Sequence, residues 1–331
     1  MKKLLLILLT LLVVALLGFF WWKGAIRSVG DMDDLQDFLI TKGSSASQIG
    51  NKLEEKNLVR NSLAFKFYVQ LTGKAKKIPS GEFELSSSQD LFEIVSSLLE
   101  GPKAVWVTVP EGLRREEIVE KFVGELEKSG EEAVSFRSEF LSLTNNMEGR
   151  IFPDTYLLPK MITATKTVAL IEATFEKRIN TISDDISSSD LSLEEILILA
   201  SLLVRETITE EEKPIVAGIL MNRINGDWPL QVDATVQYAL SNAKCKGKIN
   251  CDWWQKPLTR DDIEIVSAFN TYKNQGLPPF PISNPGLNSI KAAASPEATS
   301  YWFYIHDNTG KIRYAETVEG HNSNVRKYLG K

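Results

Sequence analysis

Cysteine and histidine are both scarce in this chain of 331 residues, with two of each. Cys245 and Cys251 form no CxxC pair, and His306 and His321 belong to no HExxH pattern. Protein zinc sites draw on thiolate and imidazole ligands at short, regular spacings. The sequence therefore predicts no metal site and no cofactor.

Positive charge is limited as well. The formal net charge is -5, and no long basic patch is evident. Proteins that bind nucleic acid neutralise phosphates with clustered Lys and Arg, so this class of partner is excluded. The composition, 43% hydrophobic and 24% charged, is that of a globular protein with room for two or three cores.

The first 22 residues contain the one long apolar run, from Leu4 to Trp22, preceded by Lys2 and Lys3. About 20 apolar residues span a bilayer, whereas the apolar core of a signal peptide has roughly 7 to 15. No small-x-small cleavage site follows. An uncleaved anchor is therefore favoured over a cleaved signal peptide, and the charges lean toward a cytoplasmic N-terminus.

The pattern after the anchor predicts an α+β chain. A linker covers residues 23–36. A strand, a helix, a second helix over Ser62–Leu71, a strand in PSGEFELSSS and a helix ending at Gly101 then form a small module. Another strand, turn and helix follow. Residues 130–189 are predicted to be mostly helical apart from a loop over Glu148–Lys160, and SDDISSSD indicates a boundary.

The helix predicted over Leu193–Glu206 opens with a capping box, Ser192 to Glu195, and is apolar nearly all round. Thr209 to Glu212 are predicted to cap a second helix that runs to Ile224. The segment NRINGDWPLQVDATVQYAL is then read as a turn and an extended polar strip, whose amide and hydroxyl groups suit a saccharide.

Glu206 ends this apolar helix and shares a face with Leu199, Leu202 and Leu203. A carboxylic acid held against leucines resists ionisation, so its pKa rises and it can donate a proton near pH 7. The alternative is a surface glutamate at a frayed helix end. The later stretch FNTYKNQGLPPFPISNPG is either a rigid surface loop or the wall of a sugar-binding groove.

Several ordered motifs carry a family resemblance: EGRIFPDTY, ASLLVRET, VAGILMNRI, PLQVDATVQYAL and AFNTYKNQGLPPFPISNPG. The chain resembles the MltG (YceG-like) family of membrane-anchored endolytic murein transglycosylases over nearly its whole length after the anchor. The resemblance implies a single transmembrane helix (residues 1–22), a linker (23–36), a LysM-like α/β module (37–109), a connecting helical region with the EGRIFPDTY loop (110–187) and a mixed helix-and-strand catalytic domain (188–331).

The implied reaction cleaves peptidoglycan between N-acetylmuramic acid and N-acetylglucosamine without water, leaving a 1,6-anhydromuramyl end. Glu206 takes the place of the catalytic acid and base. Where many relatives carry a second glutamate, this chain has Val204. The implied substrate-binding residues are Asn222, Gln231, Asp233, Thr235, Tyr238, Asn270, Tyr272, Asp154 and Tyr156.

Three other functions compete with this one. Ser241 to Lys244 match the SxxK of penicillin-recognising acyltransferases, but no KTG follows. A non-catalytic, membrane-anchored scaffold that binds murein is the main alternative, and a hydrolase that uses water is another.

The resemblance also implies a cellular location and partners. The catalytic part is expected outside the cytoplasmic membrane, in the periplasm or beyond, with glycan strands as substrate and peptidoglycan synthases of the elongation machinery as candidate partners. The two cysteines, left open between free thiols and a disulfide by their sequence, are then expected to form a Cys245–Cys251 disulfide.

Overall fold

The structure is a computed structural model that describes residues 2–31 and 34–330. Met32 and Asp33, within the predicted linker, and the terminal Met1 and Lys331 lie outside the described residues. The chain divides into two compact units. The first holds the described residues up to Val107 together with Tyr156–Met161, and the second holds Thr108–Thr155 and the residues from Ile162 onward.

The first unit combines an apolar helix with a sheet and three short helices. Its elements are α1 (Lys2–Ala25), β1 (Leu35–Ile40), α2 (Ala46–Glu55), α3 (Ser62–Leu71), β2 (Gly81–Ser86), α4 (Leu91–Glu100), β3 (Ala104–Thr108) and β4 (Thr155–Pro159). The strands lie in the order β1-β2-β3-β4. β1 and β2 are antiparallel with Phe38 opposite Phe83, and both rings are buried in the core of this unit.

Local signals fix the helix ends of this unit. Ser45 and Gln48 form a capping box at the start of α2, and Asp90 and Glu93 form another at the start of α4. α4 ends before Gly101, whose φ is 108°. Glycine adopts a positive φ without steric strain because it has no Cβ atom. α3 covers Ser62–Leu71, the bounds that the sequence predicted.

One prediction for this part of the chain was wrong. The segment Glu148–Lys160 was expected to be a loop, but Thr155–Pro159 form β4, the fourth strand of the sheet. The alternation of buried Tyr156 and Leu158 is the period of two expected of a strand. A run of five residues between prolines is too short for that period to stand out in the sequence.

The second unit is mainly helical. Its elements are α5 (Arg115–Glu125), α6 (Gly130–Leu143), α7 (Ala164–Asn180), α8 (Ser183–Ser187), α9 (Leu193–Glu206), α10 (Glu212–Asn225), α11 (Asp233–Lys244), α12 (Arg260–Ile263), α13 (Leu287–Ala294), β5 (Phe303–His306), β6 (Ile312–Ala315) and α14 (Val318–Leu329). β5 and β6 form an antiparallel hairpin.

Helix α9 occupies the centre of this unit, as its apolar sequence predicted. Every residue from Ile196 to Leu203 is buried, and α10, α11 and α13 pack against the helix. The predicted capping box is present, because Ser192 Oγ accepts from the Glu195 amide and the Glu195 carboxylate accepts from the Ser192 amide. The ends of α9 are therefore fixed locally, and its position comes from burial of its leucines and isoleucines.

The polar strip predicted after α10 is not extended. Residues Asp233–Lys244 form helix α11, with Ala234 to Ser241 all buried. The prediction was wrong because the polar side chains Thr235, Gln237 and Ser241 face protein partners instead of water. The next helix boundary also differs in detail: the Glu212 carboxylate accepts from the Ile208 and Thr209 amides, and the Thr209 hydroxyl does not cap α10.

Candidate active site

Glu206 is the last residue of α9, and the chain leaves the helix directly after it. Thr207 is extended, with φ -116° and ψ 151°, and both its amide and its hydroxyl donate to the Leu203 carbonyl. These bonds satisfy a carbonyl that the last turn would otherwise leave unpaired. The Glu206 side chain is partly exposed, so an acid sits at the edge of a buried helix and within reach of a substrate.

Tyr304 holds the carboxyl group of Glu206. Its phenol oxygen donates a hydrogen bond of 2.8 Å to Glu206 Oε2. Tyr304 lies on β5, where His306 shares its side of the strand because side chains alternate. One carboxyl oxygen is therefore fixed by the hairpin, and Oε1 remains for a reacting group.

The pKa of Glu206 is raised above its ordinary value of 4.5. Burial is the largest cause, and the negative charge of Asp233 adds to it. The hydrogen bond from Tyr304 and the positive charges of Lys256 and His306 act in the opposite direction. A carboxylate is also disfavoured at the C-terminal, partially negative end of a helix. Glu206 is thus an acid able to keep its proton closer to neutral pH than a free glutamate.

A second carboxylate lies close enough to influence Glu206. Asp233 begins α11 and is exposed, and Tyr272 donates a 2.6 Å hydrogen bond to its Oδ1. Burial and this bond raise the pKa of Tyr272, so the phenol remains protonated. Of the residues predicted from the sequence, the structure brings Asp233 and Tyr272 to Glu206.

Two side chains of α10, the buried Arg223 and the half-buried Asn222, hold the hairpin that carries Tyr304. Arg223 donates from Nε and Nη2 to the Trp302 carbonyl and from Nη1 to the Leu230 carbonyl. The Asn222 amide donates to the Thr299 and Tyr301 carbonyls, at 2.8 and 3.0 Å. These bonds join the end of α10 to the residues just before β5, and so they set where Tyr304 lies.

Comparison with known proteins identifies the family. The model of the YceG-like family matches residues 38–327. The chain belongs to the YceG-like family. It is 28% identical to the endolytic murein transglycosylase of Bacillus subtilis, over 88% of this chain and 84% of that protein. The Streptococcus pneumoniae protein of the same name is 26% identical over 88% of this chain, but the match spans 58% of its length.

A solved structure supports the fold. The crystal structure of a yceG-like protein from Listeria monocytogenes is 27% identical, with a TM-score of 0.57. The match covers 88% of this chain and 99% of that one. The similarity in sequence is therefore matched by a similarity in fold.

Other predicted groove residues of this YceG-like chain lie inside the second unit. Thr235 is fully buried and bonded to Thr271, and the Asn270 amide donates to the Ile263 and Ile265 carbonyls. Tyr238 is 9% exposed and stacks against the Arg114 guanidinium. Gln231 is exposed, with a positive φ of 51°. Their binding roles stay predictions.

The two residues predicted from FPDTY fall in different units. Asp154 forms an ion pair with Arg178 at 2.6 Å and lines a cavity of about 340 Å³ beside Glu111 and Glu210. Tyr156 belongs to β4 of the first unit and is buried. Binding of substrate by either residue stays a prediction.

The cysteines are joined in the structure. Cys245 and Cys251 form a disulfide with Cα atoms 5.8 Å apart. The loop they close borders a cavity of about 750 Å³ that Arg114 and Trp253 also line, and Glu206 is not among the described residues around it. No group of three or more potential ligand residues that could hold a metal occurs within residues 2–31 and 34–330.

The sequence interpretation missed Tyr304, His306 and Glu212. His306 Nε2 lies 3.1 Å from Glu212 Oε2. Burial raises the pKa of Glu212, but the bonds from the Ile208 amide and from His306 outweigh it and hold the pKa below its ordinary value. The alternation of Tyr304 and His306 with apolar neighbours was the available signal, since in a strand it places two polar side chains on one face.

Proposed function

We propose that this chain is an endolytic murein transglycosylase that cleaves within peptidoglycan strands, between N-acetylmuramic acid and N-acetylglucosamine. The observation that carries the proposal is the carboxyl group of Glu206, whose pKa is raised mainly by burial and which Tyr304 orients through a hydrogen bond. The names of the Bacillus and Streptococcus relatives support the same substrate. As a lyase acting on a polysaccharide, the enzyme needs no water as a reactant and no cofactor.

The reaction has two proton transfers that one carboxyl group can serve. Glu206 first protonates the bridging oxygen as the bond from C1 of the muramyl sugar breaks. The resulting carboxylate then accepts the proton of the muramyl 6-hydroxyl while that oxygen bonds to C1. The product is a 1,6-anhydromuramyl end. A retaining glycosidase uses a second carboxylate as nucleophile, but here the substrate supplies the nucleophile.

Asp233 has an electrostatic role in this scheme. As C1 loses its leaving group, positive charge develops on the sugar ring, and a nearby carboxylate stabilises that charge. The bond from Tyr272 fixes the orientation of Asp233. Val204 has no charge, so Glu206 is the one acid in the last turn of α9.

The test is the variant Glu206→Gln, assayed on purified sacculi. The amide cannot donate and accept a proton in turn, so release of anhydromuramyl ends should fall at least about 1,000-fold. Glu194→Gln is the matched control, since Glu194 is an exposed residue of the same helix paired with Arg150. Mass spectrometry of the new ends gives the product.

Each rival function has its own outcome in this assay. Equal activity of Glu206→Gln and the parent protein would reject Glu206 as the acid. No activity in either would favour the murein-binding scaffold. Ends heavier by one water would indicate a hydrolase. The acyltransferase reading is disfavoured by the position of Ser241, which is buried and bonded to Arg114 and to the Tyr238 carbonyl.

The proposal includes a location. The helix over Leu6–Ala25 is long and apolar enough to cross a membrane. We assign it as a single-pass anchor of the cytoplasmic membrane, with the N-terminus inside and the catalytic unit outside. The module of the first unit is proposed as LysM-like, and release of nascent strands beside peptidoglycan synthases as the cellular role. Co-purification without any synthase would contradict that last part.

A further inference from the structure

Helix α3 of the first unit is apolar on two faces, although a helix of a soluble module needs one. Ala64, Phe65 and Val69 are buried in the core of the unit. On the other face, Leu63 is 64% exposed, Phe67 56% and Leu71 74%. These three residues follow each other at intervals of one helical turn and form one stripe. An exposed apolar stripe of this size indicates a binding surface.

The stripe adjoins the proposed membrane anchor. The ring of Phe67 lies 5.9 Å from that of Trp22, in an edge-to-face arrangement. Trp22 belongs to the last turn of α1, whose span Leu6–Ala25 has 20 residues. At about 1.5 Å per residue, that span is roughly 30 Å long, the thickness of the hydrocarbon core. Trp22 therefore falls at the membrane boundary, and Phe67 lies at the same depth.

Hydrogen bonds and buried contacts hold the module directly against the end of the proposed anchor. The Leu91 amide donates to the Ile26 carbonyl, and the Val29 and Gly30 amides donate to Ser87. Arg60 Nε donates to the Ser28 carbonyl at 2.7 Å. Ala25 is buried in the core of the module. The contacts of the predicted linker residues thus keep α3 beside the end of the anchor.

The sequence segment that contains α3 carries charge of one sign. The stretch from Lys56 to Gly81 contains six Lys or Arg residues and no Asp or Glu, in a chain with a net charge of -5. The residues are too widely spaced to form a run in the sequence. Lys76 and Lys77 follow α3 and are exposed, and Lys66 lies between Phe65 and Phe67. Apolar residues flanked by Lys and Arg suit an interface of anionic lipids.

We propose that α3 is a membrane-interface helix: its stripe of Leu63, Phe67 and Leu71 enters the outer surface of an anionic bilayer, and its lysines contact the headgroups. The module then lies against the membrane instead of extending away from it. This inference rests on the proposed anchor, but not on the proposed chemistry of Glu206.

Photo-crosslinking of the full chain in phosphatidylglycerol vesicles tests the inference. Phe67 and Leu71 are replaced, one at a time, by p-benzoylphenylalanine. Leu12 of the anchor is the positive control, and Val266 of the second unit, 95% exposed, is the negative control. Lipid adducts at positions 12, 67 and 71, severalfold above those at position 266, are the expected result.

Other outcomes separate the two proposals. Adducts at position 12, with positions 67 and 71 no higher than 266, would overturn the interface helix and leave the anchor intact. Adducts of position 67 to a second protein chain would overturn it too. Without adducts at position 12, the anchor fails and the interface helix with it. Anhydromuramyl release, measured in the same vesicles, reports on the enzyme separately.

The contribution of charge is tested by Lys76→Glu with Lys77→Glu. In these vesicles the lipid adduct at position 67 should fall at least about fivefold, because attraction of Lys to the anionic surface is replaced by repulsion. Lys121→Glu with Lys177→Glu is the matched control, since both are exposed lysines of the second unit. No loss, or an equal loss in the control pair, would contradict the role of anionic lipid.

Discussion

At the scale of single residues, the site depends on opposing effects at one carboxyl group. Burial and the charge of Asp233 raise the pKa of Glu206, whereas the hydrogen bond from the Tyr304 hydroxyl lowers it. An acid that must give up a proton and then take one back needs both states within reach. In the proposed mechanism Tyr304 therefore has two functions, to orient the carboxyl group and to stabilise the carboxylate between the two transfers.

Replacing Tyr304 with Phe should slow the reaction and shift its pH profile. Loss of a hydrogen bond to a charged group corresponds to about 10- to 100-fold in kcat/KM. Because the bond lowers the pKa of Glu206, its loss raises that pKa, and the alkaline limb of the profile moves to higher pH. Tyr301→Phe, whose ring stacks on Tyr314, is the control. An unshifted alkaline limb in Tyr304→Phe would contradict the assignment.

Glu148 is a second half-buried acid with a raised pKa, and it lies outside the proposed chemistry. Burial is the main cause that raises its pKa from 4.5 to about 8, and Glu116 adds to it. The Arg115 amide and the Asn284 amide both donate to Glu148 Oε1, which leaves Oε2 for the proton. The folded state therefore binds a proton that the unfolded state releases near pH 4.5.

The contribution of Glu148 to the stability of the protein should fall as the pH rises from about 4.5 to about 8, because a folded-state pKa above the unfolded value gives stability that is lost through that window. Glu148 contributes at most about 1.4 kcal/mol per pH unit to the slope of the free energy of unfolding against pH. Glu148→Gln should flatten this slope in urea unfolding at several pH values. An unchanged slope would show that Glu148 is ionised in the folded protein.

At the scale of elements, Asn284 joins three segments of the second unit. Its Oδ1 accepts from the Gly149 and Ile151 amides at 2.9 Å, and its Nδ2 donates to the Leu113 carbonyl and to Glu148. The side chain is fully buried. The EGRIFPDTY loop, the turn before α5 and the proline-rich segment before α13 are therefore fixed to one another through a single amide.

Asn284→Ala should destabilise the protein by roughly 3 kcal/mol, since it leaves buried amides without an acceptor. Urea unfolding at one pH measures the change in the free energy of unfolding. Asn288→Ala, at an exposed position four residues further on, should have little effect. A similar loss in both variants would argue against a special role for the buried amide.

In the proline-rich segment, the sequence predicted the residue types that form hydrogen bonds but not their partners. Its asparagines were read as groups for a saccharide or as parts of a rigid loop, and Asn284 and Asn270 are both buried and bonded to protein atoms. Residue type predicts that an amide will form hydrogen bonds. Only the neighbours in three dimensions decide whether its partner is the chain or a ligand.

At the scale of the whole molecule, the proposed anchor would hold the enzyme at the membrane. The helix Leu6–Ala25 should keep the chain in the membrane after washing with alkaline carbonate, and protease added to intact spheroplasts should digest the part beyond it. Intact mass distinguishes an anchor from a signal peptide, because the anchor retains residues 2–22. Release by carbonate, or a mature chain without these residues, would contradict the assigned topology.

The sequence by itself determined the apolar N-terminal helix, the buried helix α9 and Glu206 at its end, because each depends on neighbours within a few residues. The tertiary structure decided that Tyr304, 98 residues away, bonds Glu206, and that Thr235 and Asn270 are buried. Periodicity encodes one face of one helix. Which hairpin meets that face depends on long-range packing, in which Arg223 and Asn222 hold the chain before β5.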